Sequence, residues 1–126
     1  MKTFPMSPGL LALGLAMAAL AHAPARAQDA AAGKSVFAQC QACHSVDGTN
    51  GVGPSLQGVA GRKAGTFSGF RYSRAMTGAA VMWDPKTLDA FIAEPQKVVP
   101  GTVMPFGGMP DASQRAALVA YLQTLK

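Results

Sequence analysis

The 126-residue sequence predicts one small all-α domain with long loops. Three segments carry apolar residues at helical spacing, and the glycine-rich stretch between the first two has little periodicity. The flanks of the only two cysteines are rich in Ala, Gly and Pro, with no β-branched strands. The first helix is expected from about Asp29 to Cys40, with Asp29 as its N-cap and Gly33, Phe37 and Cys40 on one face. The second opens in WDPKTLDAFIAEP. Asp84 caps it, Pro85 takes the first helical position, Leu88, Phe91 and Ile92 form the apolar stripe, and Pro95 ends it. The third begins at Asp111, where Gln114 completes a capping-box pattern and Ala117, Leu118, Tyr121, Leu122 and Leu125 form the buried stripe. A short helical turn is expected at YSRAM.

The N-terminus reads as a leader. Lys2 is followed by the apolar run GLLALGLAMAAL, Gly9 to Leu20, and then by small residues at Ala25 and Ala27. Twelve apolar residues fall short of the roughly 20 that a spanning helix needs. The expectation is a signal peptide over 1–27, cleaved before Gln28, and an exported, periplasmic domain over 28–126; an uncleaved anchor is the alternative. Of the 11 Lys and Arg, Lys2 and Arg26 leave with the leader, so nine face six acids and the net charge falls from +5 to +3. That mild balance, without basic clusters interleaved with aromatics, gives no support to nucleic-acid binding. No later apolar run could span a membrane, so no stable membrane insertion is expected after cleavage. His22 leaves too, and His44 is the one histidine of the mature chain.

Cys40 and Cys43 sit in CQACHSVDG. A disulfide between them would close a tiny loop and remove little unfolded-state entropy. A thioredoxin-like pair expects a βαβ framework that the flanks lack. A closed zinc site wants four Cys or His ligands, and the mature chain offers three. Cys-x-x-Cys-His is left as a covalent attachment site for one haem c, the thiols bonded to the porphyrin vinyl groups and His44 as proximal iron ligand. This also accounts for GTNGVGPSLQGVAGRKAG, a chain of turns too long for an ordinary compact domain unless it wraps a large cofactor.

With His22 gone, the second axial ligand cannot be histidine. The mature methionines are Met76, Met82, Met104 and Met109. Met104, in the Pro/Gly-shaped loop VVPGTVMPF, is the preferred ligand opposite His44, and Met109, just before the last helix, is its competitor. Met76 and Met82 read as packing or loop contacts. A thioether paired with histidine raises the iron potential and fills the position that a substrate or O₂ would need.

The chain resembles class I c-type cytochromes of the soluble cytochrome c and bacterial cytochrome c2 type. The resemblance rests on GKSVFAQCQACHSVDG, GVGPSLQGVAGRKAG, FRYSRAM, Trp83, PGTVM and LVAYL, in that order. It implies crossing N- and C-terminal helices, with long loops wrapping one covalently bound haem. It also implies that the Pro54 carbonyl fixes His44, and that Arg62, Tyr72 and Trp83 hold the haem propionates. Gly33 and Phe37 would cross Leu118 and Tyr121. The plainer alternatives are core filling for Trp83, a solvated charge for Arg62 and an incidental glycine at 33. Three departures stand out. Phe91 replaces a common tyrosine, Met76 replaces a frequent asparagine, and Val103 and Gln39 thin a lysine ring that retains Lys97.

The function implied is a monomeric, soluble periplasmic one-electron carrier, not an enzyme. Its redox partners would be a membrane cytochrome complex or dehydrogenase on one side and an oxidase, reductase or photosynthetic centre on the other. The alternatives are a peroxidase-like haem enzyme, a gas-binding module, or a permanent electron-transfer subunit of an oxidoreductase.

Overall fold

The computed structural model describes residues 2–5, 9 and 25–126, with side-chain surroundings in the first helix given from Asp29 onward. His22 and all of the apolar run except Gly9 lie outside the described residues. In chain order the elements are α1 (Ala25–Val36), a 3₁₀ turn (Phe37–Gln39), α2 (Arg74–Thr77), α3 (Pro85–Ala93), α4 (Pro95–Val98) and α5 (Ala112–Leu122). Among the described residues there is no strand, only one isolated antiparallel bridge between Lys63 and Met82.

Asp29 does not cap the first helix. It lies inside α1, which begins at Ala25. A cap must leave helical geometry, and the alanine-rich sequence on both sides of Asp29 favours continuing the helix and holds no breaker. The α-helical part stops at Val36, and the 3₁₀ turn carries the chain to Cys40. Asp84 and Asp111 are caps as expected, accepting from the Thr87 and Gln114 backbone N–H groups at 2.8 and 2.9 Å. These bonds hold both carboxyls below the usual carboxylate range. Their stabilisation is complete above the ordinary carboxylate pKa and is lost as pH falls through the lowered value. Pro95 does more than end α3. It also opens α4, since a residue without an N–H suits a first helical position.

The two ends of the domain meet where α1 crosses α5. A Cβ on Gly33 would overlap the Ala117 carbonyl oxygen and stand 2.7 Å from the Tyr121 Cβ. The Phe37 ring packs on Tyr121 with centroids 5.4 Å apart. The expected crossing is present, with Ala117 rather than Leu118 against the glycine. Arg115 joins α5 to α3 through Asp89 at 2.9 Å and also donates to the Met109 and Pro110 carbonyls.

The glycine-rich segment is ordered by its own polar side chains. Ser55 is fully buried, and its Oγ accepts from the Gly48 and Gln57 N–H groups. Asn50 accepts from the Ser55 N–H and donates to the Ser68 carbonyl, both at 3.0 Å, so it ties two loops together. Backbone bonds from Gly61 to Trp83, from Trp83 to Arg62 and from Ala64 to Val81 place Arg62 and Trp83 on adjacent strips of chain. The buried apolar residues, Phe37, Val59, Trp83, Leu88, Phe91, Ile92, Val99 and Leu118 among them, form one cluster, and several of them wall a cavity rather than fill the centre.

Candidate cofactor site

That cavity measures about 570 Å³, within the roughly 300–1,000 Å³ typical of cofactor pockets. Its lining brings together Cys40, Cys43, His44, Pro54, Arg62, Tyr72, Trp83 and Met104. These eight residues span sixty-five positions of sequence and are all of those expected to contact a haem.

The attachment motif is a tight turn. Cys43 and His44 both donate backbone N–H groups to the Cys40 carbonyl, at 3.1 and 2.9 Å. Both thiols are free and half-buried. Burial pushes the Cys40 thiol up, and the neighbouring Cys43 adds to the shift. His44 Nδ1 lies 2.7 Å from the Pro54 carbonyl oxygen. A carbonyl only accepts, so Nδ1 carries the proton and the Nε2 lone pair is left for a metal. Gly53 makes this possible, because a Cβ there would come within 2.6 Å of His44 Cε1. Its own N–H donates to the Cys43 carbonyl at 2.8 Å. The sequence reading missed Gly53; one of many glycines in the loop, it needs its small size only because the imidazole folds back on it.

Arg62, Tyr72 and Trp83 stand in a lining that is largely apolar but also holds Gln39, His44, Arg71, Ser73 and Thr102. Arg62 donates to the Gln57 and Ser55 carbonyls at 2.7 and 3.3 Å and stacks over Phe67, 4.7 Å from the ring centroid. Burial lowers its pKa, with nearby Tyr72 partly offsetting this, and it has no carboxylate partner among the described residues. A partly desolvated cation bonded only to neutral carbonyls is suited to an acidic group entering the cavity. The Tyr72 hydroxyl accepts from the Phe67 N–H at 3.0 Å, which leaves its own proton to donate. Trp83 is only 7% exposed and packs against Phe91 at 4.9 Å.

The methionines separate by place. Met104 lines the cavity, half-buried. Met109 is buried outside the lining, with its N–H on the Ile92 carbonyl at 2.9 Å. Met76 lines the cavity beside Phe91's wall, so both departures toward lower polarity face the same space. Met82 is exposed and away from the lining. Thr102 and Phe106, which the sequence reading did not single out, complete the wall around Met104.

The residues present fit a haem. Two unpaired thiols, one oriented imidazole, an uncompensated guanidinium and an apolar chamber match its vinyl groups, iron, carboxylates and macrocycle in turn. Such a site defines a c-type haem protein. The cytochrome c family model matches residues 30–126, and the chain belongs to that family. It is 50% identical over 99 residues to cytochrome c2 iso-2 of Magnetospirillum molischianum, covering 78% of this chain and 99% of that one. It is 49% identical over 98 residues to the cytochrome c-type cyt cy of Rhodobacter capsulatus, covering 77% of this chain but about half (49%) of that relative's length. The solved structure of cytochrome cH from Methylobacterium extorquens superposes with a TM-score of 0.74 at 45% identity, over 76% of this chain and 98% of that one. The chain carries haem c, attached through Cys40 and Cys43, and is an electron carrier rather than an enzyme.

Proposed function

We propose that residues 28–126 act as a periplasmic one-electron carrier with His44 and Met104 as axial ligands, after export by a signal peptide over 1–27. The observation that supports the ligand pair is the placement of Met104 in the cavity wall shared by Cys40, Cys43 and His44; Met109 stands outside it, and Met76, which also lines the cavity, is taken as a packing residue of α2. When bound, the haem supplies one-electron exchange.

The protein's own residues do the rest. Pro54 holds the His44 ring and tautomer, so the proximal ligand does not turn away. Leu88, Phe91, Ile92, Met76 and Leu118 give the cavity an apolar wall. Arg62, Tyr72 and Trp83 would receive the haem carboxylates. No helix among the described residues is long and apolar enough to cross a membrane.

The rim sets how partners are met. Val52 and Val103 both line the cavity at 75% and 76% exposed, so apolar side chains stand at its mouth beside the exposed Gln39 and Arg71. Lys97 pairs with Glu94 at 3.0 Å in the open, which cancels much of its field. Encounter with a membrane cytochrome complex or dehydrogenase as donor, and with an oxidase, reductase or photosynthetic centre as acceptor, would combine this apolar contact with the charge of Arg71.

Carbon monoxide tests the reading. The reduced native protein at neutral pH should show no change in its haem spectrum under CO, because the methionine fills the sixth position. Ready CO binding without prior denaturation would favour a gas-binding or peroxidase-like protein instead.

A further inference from the structure

We propose that Gln96 is the positioning residue for the methionine loop, a side-chain clamp that keeps Met104 presented to the cavity. The proposal rests on Met104 being an axial ligand. Gln96 stands in α4, and the next residues form a turn at Val99–Thr102, closed by the Thr102 N–H on the Val99 carbonyl at 3.0 Å. Gly101 supplies the positive φ of +85° that this Pro-Gly turn requires. The Gln96 carboxamide holds the turn at two points. Its Oε1 accepts from the Gly101 N–H at 3.1 Å, and its Nε2 donates to the Thr102 carbonyl at 2.8 Å.

The pairing determines which side-chain type can serve. The donor must face a carbonyl and the acceptor must face an N–H, so the amide orientation is unique and no flip satisfies both. A carboxylate at this position would keep the bond to Gly101 but set oxygen against the Thr102 carbonyl. An ammonium would reach Thr102 alone. Asparagine is one methylene shorter. The clamp leads straight to the ligand, since the buried Thr102 hydroxyl accepts from the Met104 N–H at 3.4 Å and Thr102 itself lines the cavity. The far end of the loop is fixed separately, by Met109 N–H on Ile92 and by Arg115 on the Met109 and Pro110 carbonyls. Without Gln96 the near end of the segment carrying Met104 would be held by the turn's own Thr102–Val99 bond alone. Partners that orient a metal ligand typically change ligation by 10–100-fold when removed, and an exposed residue such as Gln96 belongs at the low end.

The test is an imidazole titration of the oxidised holoprotein at pH about 7.5, where imidazole is mostly neutral, followed by loss of the methionine-to-iron charge-transfer band. Gln96→Ala should raise imidazole affinity roughly tenfold, about 1.4 kcal/mol, and Gln96→Glu by at least as much. Gly33→Ala, which strains the α1–α5 crossing and lowers global stability, serves as the matched control and should leave imidazole affinity unchanged, as should Lys97→Ala. A Gln96→Ala effect no larger than that of Gly33→Ala overturns the clamp. If the native protein lacks the band, or Met104→Ala retains it, the ligand assignment itself fails. If Met104→Ala abolishes it while Gln96→Ala stays native-like, only the clamp fails.

Discussion

A chain with both Cys40 and Cys43 replaced by serine should retain no covalent haem and should not hold the native helices at ambient temperature. Leu88, Phe91, Ile92, Leu118 and Leu122 are buried, yet part of what they pack around is a cavity of about 570 Å³. Without the haem, water would reach the apolar wall that the cofactor otherwise covers, at about 25 cal/mol per Å² exposed, against the roughly 5–15 kcal/mol that stabilises a typical domain. The walls would therefore collapse or melt, and Arg62 would keep a half-buried charge with no acidic partner. Each single serine variant should impair attachment, and the double variant should lose it. Far-UV circular dichroism of the purified double variant is the check. Full native helicity without haem would contradict the view that the cofactor takes the place of a protein core.

Gly33→Ala should destabilise the protein by about 3 kcal/mol, the upper part of the range for overpacking. Helix propensity alone gives the opposite sign, since alanine is favoured over glycine in a helix interior by about 1 kcal/mol. The crossing decides between them. The new methyl would overlap the Ala117 carbonyl oxygen and press on the Tyr121 Cβ at 2.7 Å, and one of these contacts is backbone that cannot rotate away. The helices must separate, which also disturbs Phe37 against Tyr121. Guanidinium unfolding of the holoprotein measures the sign directly. A midpoint equal to or above the native value would mean that the crossing is looser than the geometry requires.

The legible parts of this protein were those encoded locally. Asp84 and Asp111 are caps because their side chains reach N–H groups three residues away, a pattern visible without any fold. Cys40, Cys43 and His44 were equally plain, since a covalent motif is contiguous by necessity. The preference for Met104 over Met109 came from the shape of the Pro/Gly loop, and the structure adds that Met104 lines the cavity while Met109 does not. Asp29 misled because the cap rule names suitable residues without asking whether the chain before them leaves the helix. Pro95 was read as a stop alone, although the same missing N–H makes it a start. Gly53, Asn50, Ser55 and Gln96 were beyond local reading. Each matters through a partner that loop closure brings near: an imidazole, a neighbouring loop, or a turn five and six residues on. The roles of Pro54 and Arg62 came from family resemblance, and the structure adds the geometry: an oriented histidine proton and an unpaired guanidinium.

In the proposed function a methionine from the α4–α5 connection closes the iron's sixth position and limits the protein to electron transfer. The charge-transfer band of the oxidised protein at neutral pH tests it most directly, measured on the native chain, Met104→Ala and Met109→Ala. The band should be present in the native protein, absent from Met104→Ala and retained in Met109→Ala. A native protein with high-spin haem and no band, or a band that survives at Met104→Ala and vanishes at Met109→Ala, would contradict the account.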